Sequence, residues 1–185
     1  MPGVPKILVA GIGNIFLGDD AFGSEVARRL MRRPQPPHVR VVDFGIRGID
    51  LVYALIENYD AAILIDAAPR PGEPPGTLYV LEPVLESADA SPPLIDAHTM
   101  DPMKVLRTAA AMGTLPPRLL VVGCQPQTPP PTDDDGGDMP LGMSPPVAAA
   151  VEEAAAMVES LVEQLSVEGA SPSRHNPQEA LRCTP

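Results

Sequence analysis

Two hydrophobic rhythms alternate along the chain. "KILVAGIG" (Lys6–Gly13) is a continuous apolar run ended by glycines, the pattern of a strand buried on both faces. "DDAFGSEVARRLMRR" then switches to helical spacing through Ala21, Val26, Ala27 and Leu30. Asp19 or Asp20 can cap its start, and Arg28, Arg29, Arg32 and Arg33 near its end follow the helix dipole. "VRVVDFG" (Val39–Gly45) predicts a second strand and "IDLVYALIENY" a second helix. "AAILIDAAP" (Ala61–Pro69) predicts a third buried strand, and "TLYVLEP" (Thr77–Pro83) a fourth with partial alternation. A helix over Asp101–Met112, a fifth strand over Arg118–Cys124 and a long final helix opening on "PPVAAAV" complete the ordered pattern.

Strands alternating with helices predict an α/β fold: a three-layer, twisted five-stranded sheet, mostly parallel, with helices on both faces. Strand four is the exception. Only the turn "RPGEPPG" separates it from strand three, too short for a crossover helix, so it should run antiparallel to strand three. Its far end then lies at the bottom of the sheet. The loop that follows, "SADASPPLIDAH", has ample length to climb back and deliver His98 to the top. Residues 1–165 read as one domain. From Ser166 onward "SVEGASPSRHNPQEALRCTP" has no apolar period and reads as a disordered tail. The segment "QPQTPPPTDDDGGDMPLGMS" is a long loop of the kind that is functional or disordered.

A length of 185 residues fits one full core. Trp is absent and aromatics are only 3%, so the core must rest on aliphatic side chains. The formal charge of −11 argues against a nucleic-acid binder, which needs a basic face, and against binding to an anionic membrane. Two cysteines, Cys124 and Cys183, make no disulfide framework. The N-terminus lacks a signal-peptide pattern and no apolar run is long enough to span a membrane, so the expected location is the cytoplasm.

The stretch "GIGNIFLGDDAFG" (Gly11–Gly23) imitates a dinucleotide-binding loop without completing it. Where that fingerprint needs its third glycine the chain has Phe16, and two carboxylates stand where a phosphate would sit. Carboxylates there suit cation ligands or helix caps, and two in a row exceed what capping needs. In doubly wound sheets ligands bind at the carboxyl ends of the strands, near the switch point. That rim should hold Asn14, Asp19 and Asp20 after strand one, Asp43 after strand two, Asp66 after strand three and Cys124 after strand five, with His98 arriving from its loop. Asp66 ends an apolar run, where a carboxylate is costly unless hydrogen-bonded, paired or metal-bound. Alone it could be a hydrogen-bonded strand-end acid, and His98 alone could be a loop or capping residue. Together, Asp20, Asp66 and His98 could hold a divalent transition metal with open positions. Cys124 reads as a small buried hydrophobe.

The ordered set "GIGNIFLGDDAFG", "DFGIRGIDL", "YDAAILIDA", "HTMDPMKVL", "VVGCQP" and "LGMSPPVAAAV", spread over Lys6–Leu165, resembles the nickel–iron hydrogenase maturation endopeptidases. The resemblance implies a five-stranded twisted sheet flanked by helices. It also implies removal of a C-terminal extension from the nickel-loaded precursor of the hydrogenase large subunit, its protein partner. Asp20, Asp66 and His98 fall on that family's metal-contacting positions, and Asp20 is one methylene shorter than the glutamate often found there. Asp43 and Gly45 match a segment that shapes the cleft or docks substrate, and Asn14 and Asp19 belong to the same rim. On this reading the three metal-contacting residues are catalytic, the enzyme is a metal-dependent or aspartic-type hydrolase, and nickel is carried by the substrate rather than held by the enzyme. A non-catalytic binding module for the same precursor is the alternative. The chain departs from the family in its long acidic segment "QTPPPTDDDGGDM", in Gln125 after the cysteine, and in its tail.

Overall fold

In the computed structural model, residues 3–85, 101–127 and 142–169 are described. The elements are β1 (Ile7–Ile12), a 3-10 turn (Gly18–Ala21), α1 (Phe22–Met31), β2 (Val39–Gly45), α2 (Gly48–Leu55), β3 (Ala61–Ala67), β4 (Leu78–Leu81), α3 (Pro102–Met112), β5 (Arg118–Cys124) and α4 (Pro145–Gly169). They form one five-stranded sheet in the order β2-β1-β3-β5-β4. The pairs β1–β2, β1–β3 and β3–β5 are parallel, and β4 joins β5 antiparallel at the edge. β4 thus runs against β3 in direction, as expected, while its hydrogen-bonded neighbour is β5.

Alternating side chains of the central strands feed two cores. On one face Ile7, Val9, Ile63, Ile65 and Val122 pack against Phe22, Val26 and Leu30 of α1 and the alanine- and valine-rich side of α4. On the other, Leu8, Ala10, Ala62 and Leu64 pack against Leu51 and Leu55 of α2 and Leu106 and Ala109 of α3. Burial on both faces explains why β1 and β3 read as unbroken apolar runs rather than alternating ones.

Three details depart from the sequence reading. Neither Asp19 nor Asp20 caps α1. The N-cap position is Ala21 and makes no side-chain bond, because the intervening 3-10 turn carries both acids away from the helix end. Asp101 does cap α3, accepting from Met103 N at 2.8 Å, with Pro102 in the first turn. Finally, α4 continues past Leu165 to Gly169. Ser166 helps to fix that last turn, its hydroxyl donating to Val162 O at 2.7 Å and lying 3.0 Å from His38 Nε2.

The chain leaves β1 for β2 on one side and returns to β3 on the other, so the sheet's switch point lies between β1 and β3. α1 crosses directly over that gap. A Cβ on Gly23 would lie 2.1 Å from Ile65 O of β3 and 2.2 Å from Ile12 O of β1, and one on Gly11 would lie 2.4 Å from Gly23 O. Only glycine allows this approach, and it sets the turn bearing Asp20 beside the end of β3.

Candidate active site

Asp66 lies one residue beyond Ile65, near the end of β3, and is almost wholly buried. Its carboxyl is pushed well above the ordinary aspartate range, first by burial, then by the neighbouring charges of Asp20 and, less, Asp101; the Ala67 N–H pulls the other way. Asp20 is raised too, chiefly by burial, and is opposed by the N–H of Asn14, which donates to Oδ2 at 2.7 Å. Two carboxyl groups from separate elements therefore lie near enough at the switch point for the charge of Asp20 to act on Asp66, and each is hindered in ionising. A divalent cation or a shared proton would offset that repulsion. His98 lies outside the described residues. Among the described residues no three His, Cys, Asp or Glu side chains gather as a metal site.

The loop carrying Asp20 is built from backbone bonds. Asn14 Oδ1 accepts from Phe16 N at 3.0 Å, Leu17 N donates to Asn14 O at 3.0 Å, and Asp20 N donates to Leu17 O at 3.1 Å. Gly13 makes the turn possible: its φ is +139° and a Cβ there would lie 1.8 Å from Asp20 O. The loop after β2 is tied to it, Gly13 N donating to Gly45 O at 3.1 Å. Gly45 has φ +57°, and its N–H donates to Asp43 Oδ1 at 3.1 Å. The other oxygen of Asp43 accepts from Arg28 Nε at 2.8 Å. Asp43 is thus engaged with its own chain and fixes the β2 turn and α1 relative to each other.

Asp19 has a role the sequence does not announce. It is 2% exposed. Its Oδ2 accepts from Gln127 N at 2.8 Å and from the Ser144 hydroxyl at 2.9 Å, and its Oδ1 accepts from Ser144 N at 2.6 Å. One carboxylate therefore joins the end of β5 to the start of α4, and both to the turn bearing Asp20. Cys124 is fully buried, and its thiol is pushed up to about 12 by burial and then by the Asp19 charge, which leaves it an inert hydrophobe rather than a nucleophile.

Tyr79 was not singled out by sequence pattern. Register places it in one row with Gly123 and Asp66, and its hydroxyl donates to Ala68 O at 2.6 Å. Its ionisation is disfavoured by burial and by the charge of Asp66. The only signal for it would have been the register of an edge strand, which spacing along the chain does not carry.

Residues 24–161 match the profile of the HycI hydrogenase maturation proteases. The hydrogenase 2 maturation protease of Escherichia coli K12 is 30% identical over 168 residues, covering 88% of this chain and 94% of that protein. The hydrogenase expression/formation protein HupD of Rhizobium leguminosarum is 31% identical over 160 residues, 86% of this chain and 77% of that one. Among solved structures, the E. coli hydrogenase maturating endopeptidase HybD superposes with a TM-score of 0.64 at 28% identity, covering 86% of this chain and 93% of its own. A profile match over most of the chain, relatives at 30–31% identity covered over 77–94% of their length and a shared sheet agree with the carboxylate rim described above: the chain belongs to the hydrogenase maturation protease family.

Proposed function

We propose that this protein is the endopeptidase that removes the C-terminal extension of a nickel–iron hydrogenase large-subunit precursor once nickel is in place, acting in the cytoplasm. The observation that carries the reading is the pair of half-buried Asp20 and buried Asp66, the charge of the first disfavouring ionisation of the second at the sheet's switch point. Such a pair is costly to keep charged alone and favourable against a divalent cation. The cation is part of the substrate: the nickel carried by the precursor. Asp20, Asp66 and His98 contact it, and the precursor's scissile peptide is thereby set beside the carboxylates. Hard carboxylate oxygens and one imidazole suit a metal that keeps other ligands on the substrate.

The chain's own chemistry is then to orient and to move a proton. Asp20 is held by the Asn14 N–H, so its free oxygen has a fixed direction. Asp66 holds a proton more readily than an exposed aspartate and gives it up when a cation approaches. A carboxylate freed in this way can accept the proton of the attacking water, or the water can be activated by the metal itself. Asn14, Asp43 and Gly45 act on this reading by fixing the two loops that border the pair.

The test is mass spectrometry of nickel-loaded precursor before and after exposure to the protein. Loss of a C-terminal peptide is expected, with nickel-free precursor left whole and Asp66→Ala inactive while melting as a folded protein. Full-rate cutting of nickel-free precursor refutes the recognition step. Binding with no change of mass makes the protein a docking module instead.

A further inference from the structure

The rim beside Asp66 carries a cation for which the chemistry above has no use. β3, β5 and β4 lie side by side, and their register sets Asp66, Gly123 and Tyr79 in one row. Residues in one row share a sheet face. Gly123 has no side chain, and the Tyr79 ring lies over it: a Cβ there would fall 2.2 Å from the ring's Cζ. From that position the Tyr79 hydroxyl reaches β3 and donates to Ala68 O. Arg70, four residues after Asp66, turns back over the same ring, its guanidinium carbon 5.4 Å from the centroid. The Arg70 N–H donates to Gln125 Oε1 at 2.5 Å, which anchors the root of the side chain to the end of β5.

Arg70 is exposed, and among the described residues its guanidinium meets the Tyr79 ring and no carboxylate. In a chain with 24 acids and 13 bases, it is a positive charge held on an aromatic ring and open to a partner from outside. A guanidinium seated on an aromatic ring loses little freedom when it binds, and its planar fork matches a carboxylate. A negatively charged rim would otherwise repel an acidic peptide.

We infer that Arg70, seated on Tyr79, is a specificity-determining residue that takes a carboxylate of the substrate polypeptide, from an acidic side chain near the scissile bond or from its free C-terminus. The inference rests on the endopeptidase reading for its substrate but not on the identity of the attacking group.

The test measures binding of the nickel-loaded large-subunit precursor by calorimetry and its cleavage by mass spectrometry, for wild type, Arg70→Gln, Arg70→Lys and Tyr79→Phe. Arg70→Gln should weaken binding and raise KM about tenfold with kcat within about twofold, the signature of lost ground-state contact. Arg70→Lys should fall between, since an ammonium keeps charge but not the fork. Tyr79→Phe keeps the ring and should bind as wild type. Two altered precursors separate the sources: one with the acidic residues of its extension changed to amides, the other with an amidated C-terminus. The one that removes the true partner should weaken wild-type binding about tenfold and abolish the effect of Arg70→Gln. Unchanged binding by Arg70→Gln, a loss confined to kcat, or indifference to both altered precursors overturns the inference. If wild type binds without cutting, the endopeptidase reading falls while the binding comparison still decides on Arg70; absence of binding overturns both.

Discussion

Replacing Gly23 with alanine tests whether the approach of α1 to the sheet is what brings Asp20 to Asp66. The added Cβ would sit 2.1 Å from Ile65 O and 2.2 Å from Ile12 O. An ordinary carbon–oxygen contact is about 3.3 Å, so the first turn of α1 must lift by roughly 1.2 Å. Both obstacles are backbone carbonyls engaged in the sheet, and neither can rotate aside. Overpacking of this kind costs about 3 kcal/mol, or roughly 6–12 °C in Tm for a chain of this size. The lift also carries the 3-10 turn away from β3, and misplacing a reacting group by about 1 Å costs about 100-fold in rate. The assay pairs a thermal melt with kcat/KM on nickel-loaded precursor. Gly72→Ala is the control: its φ of +91° strains an alanine while nothing lies within 4 Å of the new Cβ, so it should lose about 1 kcal/mol and no activity. If Gly23→Ala melts within about 2 °C of wild type, the close approach is wrong. If it is destabilised but cuts at the wild-type rate, the approach is real and the site does not depend on it.

Asp66→Asn should abolish cleavage and yet stabilise the protein above the acid range, because it removes a buried charge that Asp20 repels. The sign follows from linkage. A carboxyl whose pKa is raised on folding makes the folded state bind more protons, so wild-type stability falls as pH rises from about 3.9 through the raised value and is flat beyond it. Urea melts across pH should show that slope in wild type and its loss in Asp66→Asn; a less stable variant at neutral pH refutes the argument. Asp19→Ala strands the N–H groups of Gln127 and Ser144 and should cost about 3 kcal/mol, with faster amide exchange at both positions. Cys124 should resist iodoacetamide at pH 8 until the protein is unfolded, as peptide mass mapping would reveal.

The parts of this fold legible in the sequence are those governed by local pattern. β2 and β5 span the residues their sequence runs predict; β5, an inner strand, carries apolar side chains on both faces up to the residue where solvent begins. The direction of β4 followed from the shortness of one turn. Its partner did not, because β5 inserts between β3 and β4 and nothing in four residues records that. The expectation that Asp20 and Asp66 share one rim came from their places after the first and third strands of a doubly wound sheet, whose ligands bind at the carboxyl ends. Neither Asp19 nor Asp20 caps the helix as the local pattern suggests, and the partners of Asp19, Gln127 and Ser144, are 108 and 125 residues away. Helix-start rules see only the next turn, and here a 3-10 turn stands between the acids and the helix.

The two aspartates also differ in how they are held, and that difference bears on the proposed reaction. Asp20 sits in a loop whose backbone bonds and glycine turn fix it, with one oxygen taken by Asn14. Asp66 is more deeply buried and takes the larger upward shift, so in the cation-free protein it is the better proton holder of the pair. A substrate lacking its metal then meets a pair in which Asp66 is reluctant to ionise and so is a poor base. A substrate carrying a divalent ion shifts the same group toward its charged form. On the proposed reading, readiness to cut is set by the substrate's own charge, through the desolvation that makes Asp66 reluctant to ionise. Weakening that desolvation should loosen the requirement. Leu106→Ala, on the α3 side of the sheet that Asp66 shares with Leu64, opens that core. It should lose roughly 2–5 kcal/mol of stability while allowing some cleavage of nickel-free precursor, which wild type leaves whole. A variant that remains folded and discriminates as sharply as wild type would break the link between burial and metal sensing.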